Sequence, residues 1–324
     1  MTRGDAPAAR PRRRLLRRGA LWAAGLLALA ASGGFLYETV ARQDDAARHR
    51  MPGRLVDVGG HRLHLHCTGT GAPTVVLEAG LAESSASWEP IQRRLSEGNR
   101  VCSYDRAGYA WSRQSPSPPT AERAAEDLHA LLAAAGEAGP YVLVAHSFGG
   151  NSVRIFADRR PELTAGLVLV DVTDETAAGA IEVSRPLLAV QFTAYQLAAR
   201  LGLLRLFGDA FVPASATGAA REHAVVVYGS GSMAAARAEA WAAADGAAQV
   251  RATVRPRAWG DLPVVVISPS GQETTATARA ADLAALSTHG RLVVADTADH
   301  YVHIARPGLV LDAVQEVIAA ARTR

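Results

Sequence analysis

No lysine occurs in the 324 residues, so all 34 Lys-plus-Arg positions are arginine. Beside the heavy use of alanine this is a compositional bias, and no function is drawn from it. Cysteine is almost as scarce. Cys67 and Cys102 are the only two, which limits the chain to one intramolecular disulfide. A cationic body is lacking as well: residues 1–18 carry seven Arg against one Asp, and without them the net charge of +3 becomes −3. A body of that charge has none of the cationic excess that nucleic-acid binding requires, which excludes that class. Internal repeats are absent too. What is there is a chain 49% hydrophobic and 20% charged, the balance of a globular protein with ample length for a buried core.

The arginine-rich leader, residues 1–18, is followed by Gly19–Tyr37, which holds no charged residue. Nineteen helical residues reach about 28 Å, close to the hydrocarbon thickness of a bilayer. Arginines precede this stretch and Glu38, Asp44 and Asp45 follow it. The positive-inside rule then sets the N-terminus in the cytoplasm and the rest outside. Cleavage of a signal peptide at Ala28-Leu29-Ala30 is the rival reading. Apolar residues run on past that point, which favours an uncleaved anchor over a secreted product. Residues 38–52 then read as a linker.

From Arg54 the pattern is alternating strands and helices. A hairpin is expected at Arg54–Val58 and Arg62–Cys67 around Gly59-Gly60. Apolar runs at Thr74–Leu77, Arg100–Tyr104, Tyr141–Ala145, Leu167–Val170, Leu262–Ile267 and Arg291–Ala295 read as strands. Helices are expected over Trp88–Leu95, Ala121–Ala135 with Thr120 as cap and Gly136 as stop, Asn151–Asp158, Ala276–Leu286 and Leu309–Ala321. Continuous apolar strands between helices imply a mainly parallel α/β sheet covered on both faces. Residues 172–258 interrupt this order with helical patterns at Leu187–Leu206 and Met233–Ala244. An insertion of that length is too long for a loop, and it divides the body into a core at 53–171, a helical cap at 172–258 and a second core part at 259–324.

Ala145-His146-Ser147-Phe148-Gly149-Gly150 links an apolar strand to a helix. Small residues on both sides permit a turn sharp enough to hold the Ser147 hydroxyl out of the sheet. A serine hydroxyl needs a base, and the base needs a third group to hold it. His300, in Asp299-His300-Tyr301 after the last strand, is the candidate base, with His303 as competitor; His146 should point away from the nucleophile. For the acid, Asp171 at the end of Gly166–Val170 is favoured, with Glu273 the main alternative and Asp174 or Asp282 behind it. The oxyanion would be met by the N–H groups of Phe148 and of Leu81, the latter in a turn that Gly80 allows. Asp105 and Arg106 read as structural supports of that region. His61, His64 and His66 could suggest a metal site, but a solvated strand face is the favoured reading, and no metal or cofactor is assigned.

With these pieces assembled, the chain resembles the α/β-hydrolase superfamily of esterases, lipases and aminopeptidases over residues 53–324. The matching segments are Leu77-Glu78-Ala79-Gly80-Leu81, Trp88, Tyr104–Gly108, Ala145–Gly150, Leu167–Asp171 and Asp299-His300. The resemblance implies a mostly parallel eight-stranded sheet with helices on both faces and a helical cap inserted after strand 6. It places the second and fourth strands side by side, and so implies a Cys67–Cys102 disulfide, which an exported domain would also favour. It further implies a serine hydrolase acting on a small acyl substrate, with the cap and membrane suggesting an apolar ester. An amidase or aminopeptidase is the first alternative, with Glu175, Glu182 or Glu222 to meet a substrate ammonium. The second is a ligand-binding protein without catalysis. Glu78-Ala79-Gly80 departs from the His-Gly that many members carry at the oxyanion loop, and Ser147 stands where epoxide hydrolases and dehalogenases carry aspartate.

Overall fold

The computed structural model describes residues 10–48, 50–173, 175–208 and 229–324. Its elements in chain order are α1 (Arg10–Arg48), β1 (Arg54–Asp57), β2 (Arg62–Thr68), β3 (Thr74–Glu78), α2 (Glu89–Leu95), β4 (Val101–Tyr104), α3 (Ala121–Ala135), β5 (Tyr141–His146), α4 (Gly149–Arg159), β6 (Thr164–Val170), α5 (Ala178–Arg200), α6 (Leu203–Leu206), α7 (Ser230–Arg251), β7 (Val264–Pro269), α8 (Thr274–Ala284), β8 (Gly290–Ala295), α9 (Val302–Ala305) and α10 (Pro307–Arg322).

The eight strands form one sheet in the order β1-β2-β4-β3-β5-β6-β7-β8. Only the β1–β2 and β2–β4 pairs are antiparallel. Alternating side chains of the central strands go to opposite faces. Leu143, Ala145, Leu167 and Leu169 pack with Leu128, Leu132, Ile155 and Phe156 of α3 and α4. Val142, Val144, Val168 and Val170 pack with Ile91, Leu95, Val314 and Ile318 of α2 and α10. Burial on both sides is why these strands read as unbroken apolar runs.

Local chemistry sets the boundaries. Thr120 Oγ1 accepts the N–H of Arg123 at 3.2 Å and Gly136 closes α3 at φ +75°. The expected Trp88–Leu95 helix is preceded by a 3₁₀ turn, Ser85–Trp88, and α2 begins at Glu89 with Pro90 in its first turn. The expected helix Leu187–Leu206 is cut at Gly202, whose φ of +71° ends α5 and restarts the chain as α6. Cys67 lies directly opposite Cys102 in the β2–β4 register, and the two are disulfide-bonded.

Two expectations are corrected. Helix α1 does not end at Tyr37; it continues through the segment read as linker to Arg48, and Arg14–Asp45 is long and apolar enough to cross a membrane. The histidine-bearing face of β2 is not solvated. His64 is fully buried, its Nδ1 2.8 Å from Asp105 Oδ2 and its ring tilted against Trp111. His61 lies 3.1 Å from Asp127. The 105–113 loop folds over the strand and supplies Asp105 and Trp111 to His64, while Asp127 of α3 meets His61, so these two imidazoles are core groups.

Between β6 and β7, α5 and α6 pack against α7, with Phe192, Ala199 and Leu204 in one cluster with Met233, Ala236 and Ala240. Tyr109, from the core, joins the same cluster, so the inserted helices are seated on the loops that follow the strands.

Candidate active site

The elbow forms because three backbones converge at the C-terminal end of β5. Ser147 has φ +50°, a costly conformation for a residue with a side chain. A Cβ on Gly149 would lie 2.5 Å from the Ala79 carbonyl oxygen, and one on Gly150 2.5 Å from Val172 Cγ1. Those contacts explain why both positions are glycine. Asp171, at the end of β6, is also held at positive φ, +42°.

Ser147 Oγ lies 2.9 Å from His300 Nε2, and His300 Nδ1 lies 2.5 Å from Asp171 Oδ2. The other carboxylate oxygen of Asp171 accepts the Gln272 amide at 2.9 Å. Serine, imidazole and carboxylate thus stand in hydrogen-bonded series, supplied by the loops after β5, β8 and β6. Of the alternative acids, Glu273 sits at the N-terminus of α8, where its carboxylate accepts the Thr275 hydroxyl, and does not pair with His300. Asp282 is on the same helix and exposed. Asp174 and Glu222 lie outside the described residues. A cavity of about 410 Å³ adjoins Asp171 and is walled by Val172, Ile267 and Leu283; Ser147 and His300 do not line it. It flanks Asp171 and leaves Ser147 outside.

Among the described residues it is His300, and not the competitor His303, that bonds Ser147. His303 is buried, stacked on Trp88 at 4.4 Å and on His146 at 4.4 Å between ring centroids. His146 makes no hydrogen bond to Ser147 among the described residues, but its ring reaches the loop of His300. Its Nε2 donates to the His300 carbonyl at 2.9 Å, and its Nδ1 lies 2.7 Å from Glu83 Oε1. Burial works to lower the pKa of His146, but the Glu83 carboxylate overrides it and holds the value above the ordinary one. Burial would raise Glu83, yet the His146 charge holds its carboxyl down at about 2. His303 is pushed down to about 3, by burial first and then by that same charge.

Glu83, His146 and His303 bring ligand-type atoms within 4.8 Å of one another, a set that could be mistaken for a metal site. A ligating imidazole must offer an unprotonated nitrogen. His146 donates Nε2 to the His300 carbonyl and pairs Nδ1 with the Glu83 carboxylate, so the cluster reads as a buried ion pair beside a neutral imidazole. Cys67 and Cys102 form a second such group with Glu137, but they are tied up in the disulfide.

The loop after β3, where an oxyanion donor is expected, is set by Arg106. Its Nη1 donates to the Ala79 carbonyl at 2.5 Å and its Nη2 to the Gly80 carbonyl at 2.9 Å. In a trans peptide the N–H points opposite to the C=O. Fixing the Gly80 carbonyl on Arg106 therefore turns the Leu81 N–H away from it. Among the described residues, neither that N–H nor the Phe148 N–H meets an acceptor. Gly80 itself has no positive φ; it is needed because a Cβ there would meet Glu83 Oε1 at 2.7 Å and His146 Nδ1 at 3.0 Å. Arg106 is clamped in turn, by Glu78 at 2.7 Å and by the two oxygens of Glu239 on α7 at 2.7 and 2.8 Å. Tyr109 donates to Glu239 at 2.7 Å, and Tyr104 donates to Glu78. Burial pushes the Glu78 carboxyl up against the pull of Arg106. Asp105 takes the Ser85 N–H at 2.8 Å besides His64, a supporting role.

Glu83, Gln272 and Glu239 were not singled out from the sequence. Glu239 left a faint signal, one of two acids in an alanine-rich helix.

Residues 73–307 match the model of the α/β hydrolase fold family. The chain belongs to that family. Among relatives, 2-(acetamidomethylene)succinate hydrolase of Mesorhizobium japonicum is 26% identical over 85% of this chain and 98% of its own length. The uncharacterized protein YqjL of Bacillus subtilis is 35% identical over 33% of this chain and 42% of its own length. For several such relatives the match spans under half of their length, 18% to 46%. Of solved structures, a thermophilic esterase from Thermogutta terrifontis superposes with a TM-score of 0.65 at 21% identity, covering 81% of this chain and 94% of that one. At that identity the likeness establishes the fold.

Proposed function

We propose that this α/β hydrolase is a serine hydrolase that cleaves an ester, or a closely related acyl bond, through an acyl-enzyme. The observation that carries the reading is the Ser147–His300–Asp171 series, at 2.9 Å and 2.5 Å. His300 Nε2 takes the proton of Ser147 as Oγ attacks the carbonyl carbon. Asp171 accepts from Nδ1, keeps the ring in the tautomer that leaves Nε2 free, and steadies the imidazolium that forms. The tetrahedral oxyanion is met by the N–H groups of Phe148 and Leu81. His300 then passes its proton to the leaving alcohol, and water activated by the same imidazole releases the acid. Every step uses groups that this chain supplies.

The amidase or aminopeptidase reading loses two of its supports. Glu175 is bound to Arg154 at 2.7 Å and Glu182 to Arg185 at 3.1 Å, so neither carboxylate is free to meet a substrate ammonium. A binding protein without catalysis has no need of a serine–histidine–carboxylate series in register. The apolar α1 supports a membrane-anchored protein whose hydrolase body lies outside the cytoplasm, as the flanking charges imply. The test is turnover by the full-length protein in detergent of p-nitrophenyl esters of increasing acyl length, set against aminoacyl anilides. Ester hydrolysis abolished in Ser147→Ala is expected; anilide hydrolysis without ester hydrolysis would overturn the assignment.

A further inference from the structure

Helix α5 is apolar on two opposite sides, and only one of them is buried. Inward, Leu188, Phe192, Tyr195 and Ala199 pack in the cluster shared with α7. Outward, Val183, Leu187, Val190 and Leu197 fall in one stripe, with the exposed Ala194 filling the gap in the helical repeat. Leu203, Leu206 and Phe207 continue it around the elbow at Gly202. These seven large apolar side chains are between 42% and 83% exposed. Beyond α1, the other exposed large apolar residues among those described are Met51, Trp241, Val254 and Val294, which are scattered. A helix that meets water on its outer side is normally polar there, and a continuous apolar stripe marks a surface that something covers.

The contacts of α1 say what covers it. A Cβ on Gly34 would lie 2.4 Å from the Leu201 carbonyl oxygen, and one on Gly202 2.9 Å from the Tyr37 ring. Arg205 reaches across to Glu38 at 3.0 Å and Asp45 at 2.6 Å. Gly34 and Tyr37 form the last turn of the charge-free stretch, and Glu38 is the first charge beyond it. The α5–α6 elbow is therefore packed at the level where hydrocarbon gives way to headgroups.

We propose that the outer stripe of α5, together with Leu203, Leu206 and Phe207, rests on the lipid bilayer beside α1. The inference stands on the reading of α1 as a membrane anchor and adds that the inserted helices are membrane-seated. Apolar side chains in the interface gain from leaving water, while Arg205 and Arg42 together offset Glu38 and Asp45, so the cluster brings no net charge into it. The cover over the active site is then held between the core below and lipid above.

The experiment uses the full-length protein in phosphatidylcholine nanodiscs, with single fluorescent labels on Leu187→Cys and Leu206→Cys. Leu27→Cys in α1 is the lipid control and Thr323→Cys the water control. The native cysteines are paired and do not compete. The expected result is that labels at 187 and 206 shift to the blue and are quenched by doxyl-labelled lipid, as at 27, and escape the aqueous quencher iodide. Labels quenched by iodide as at 323, with 27 still quenched by lipid, would overturn the inference and leave the anchor standing. Labels shielded from both quenchers would mean a protein partner or a second copy on this face, and would overturn it too. Iodide quenching at 27 would remove the anchor reading and the inference with it.

Discussion

His146 Nε2 donates to the main-chain carbonyl of His300 at 2.9 Å, so the residue before Ser147 holds the loop that carries His300. Its Nδ1 is anchored 2.7 Å away on Glu83. His146 is thus a positioning residue, and its removal should lower kcat by about 100-fold, the scale of a misplacement near 1 Å. His146→Gln, which can still donate to the carbonyl, should recover part of that loss. Steady-state kinetics of the two variants check this; equal loss in both, tracking a lowered Tm, would make the contact merely structural.

The same cluster sets the acid limb of stability. Glu83 holds its charge down to about 2, below its ordinary 4.5, so its contribution is present above 4.5 and lost as pH falls through 2. His303 stays neutral to about 3 in the folded chain, while the unfolded chain takes a proton below 6.5, so stability also declines from 6.5 toward 3. His146, raised, works in the other direction: its contribution is full below 6.5 and lost as pH climbs through its elevated value. Replacing the unbonded imidazole in His303→Leu should flatten the decline of Tm between 6.5 and 4.5, where Glu83 is still ionised. An unchanged slope in a thermal scan against pH would contradict this.

Arg106 links Glu239 on α7 to the Ala79 and Gly80 carbonyls of the loop proposed to meet the oxyanion. Arg106→Lys keeps a charge but cannot serve two carboxylates and two carbonyls together. Loss of an aligned oxyanion donor costs about 100-fold or more in kcat. The variant should therefore lose kcat with KM little changed. A raised KM at constant kcat would place Arg106 in substrate binding instead.

Asp171 and Glu273 separate cleanly. Asp171→Asn removes the acceptor of His300 Nδ1, and a drop in kcat of about 10⁴-fold is expected. Glu273→Gln, at the start of α8, should leave the rate unchanged. The reverse pattern in the same ester assay would reassign the acid.

Much of this was legible because it is local. Thr120 and Gly136 mark α3 by capping chemistry, and the apolar runs Val142–Ala145 and Leu167–Val170 mark buried parallel strands by pattern. The register of the sheet brings Cys67 opposite Cys102, a pairing that the family resemblance implied. The His64 face was misread because β2 alternates like an edge strand, and the loop that buries it lies 41 residues away in sequence. Likewise Glu83 meets His146 across two neighbouring strands of the core, and Glu239 meets Arg106 only once the inserted helices pack on that core; no period or spacing records either contact. The break of α5 at Gly202 was hidden because glycine in an apolar helical pattern reads equally as tolerated or as a stop.

The central claim is that Ser147 is a nucleophile activated by His300, and the most direct measurement is covalent. Full-length protein treated with a fluorophosphonate should carry the adduct on Ser147 by peptide mass spectrometry, with labelling slowed by orders of magnitude in His300→Ala. A wild-type chain left unlabelled at Ser147, or one labelled equally fast without the imidazole, would contradict the account.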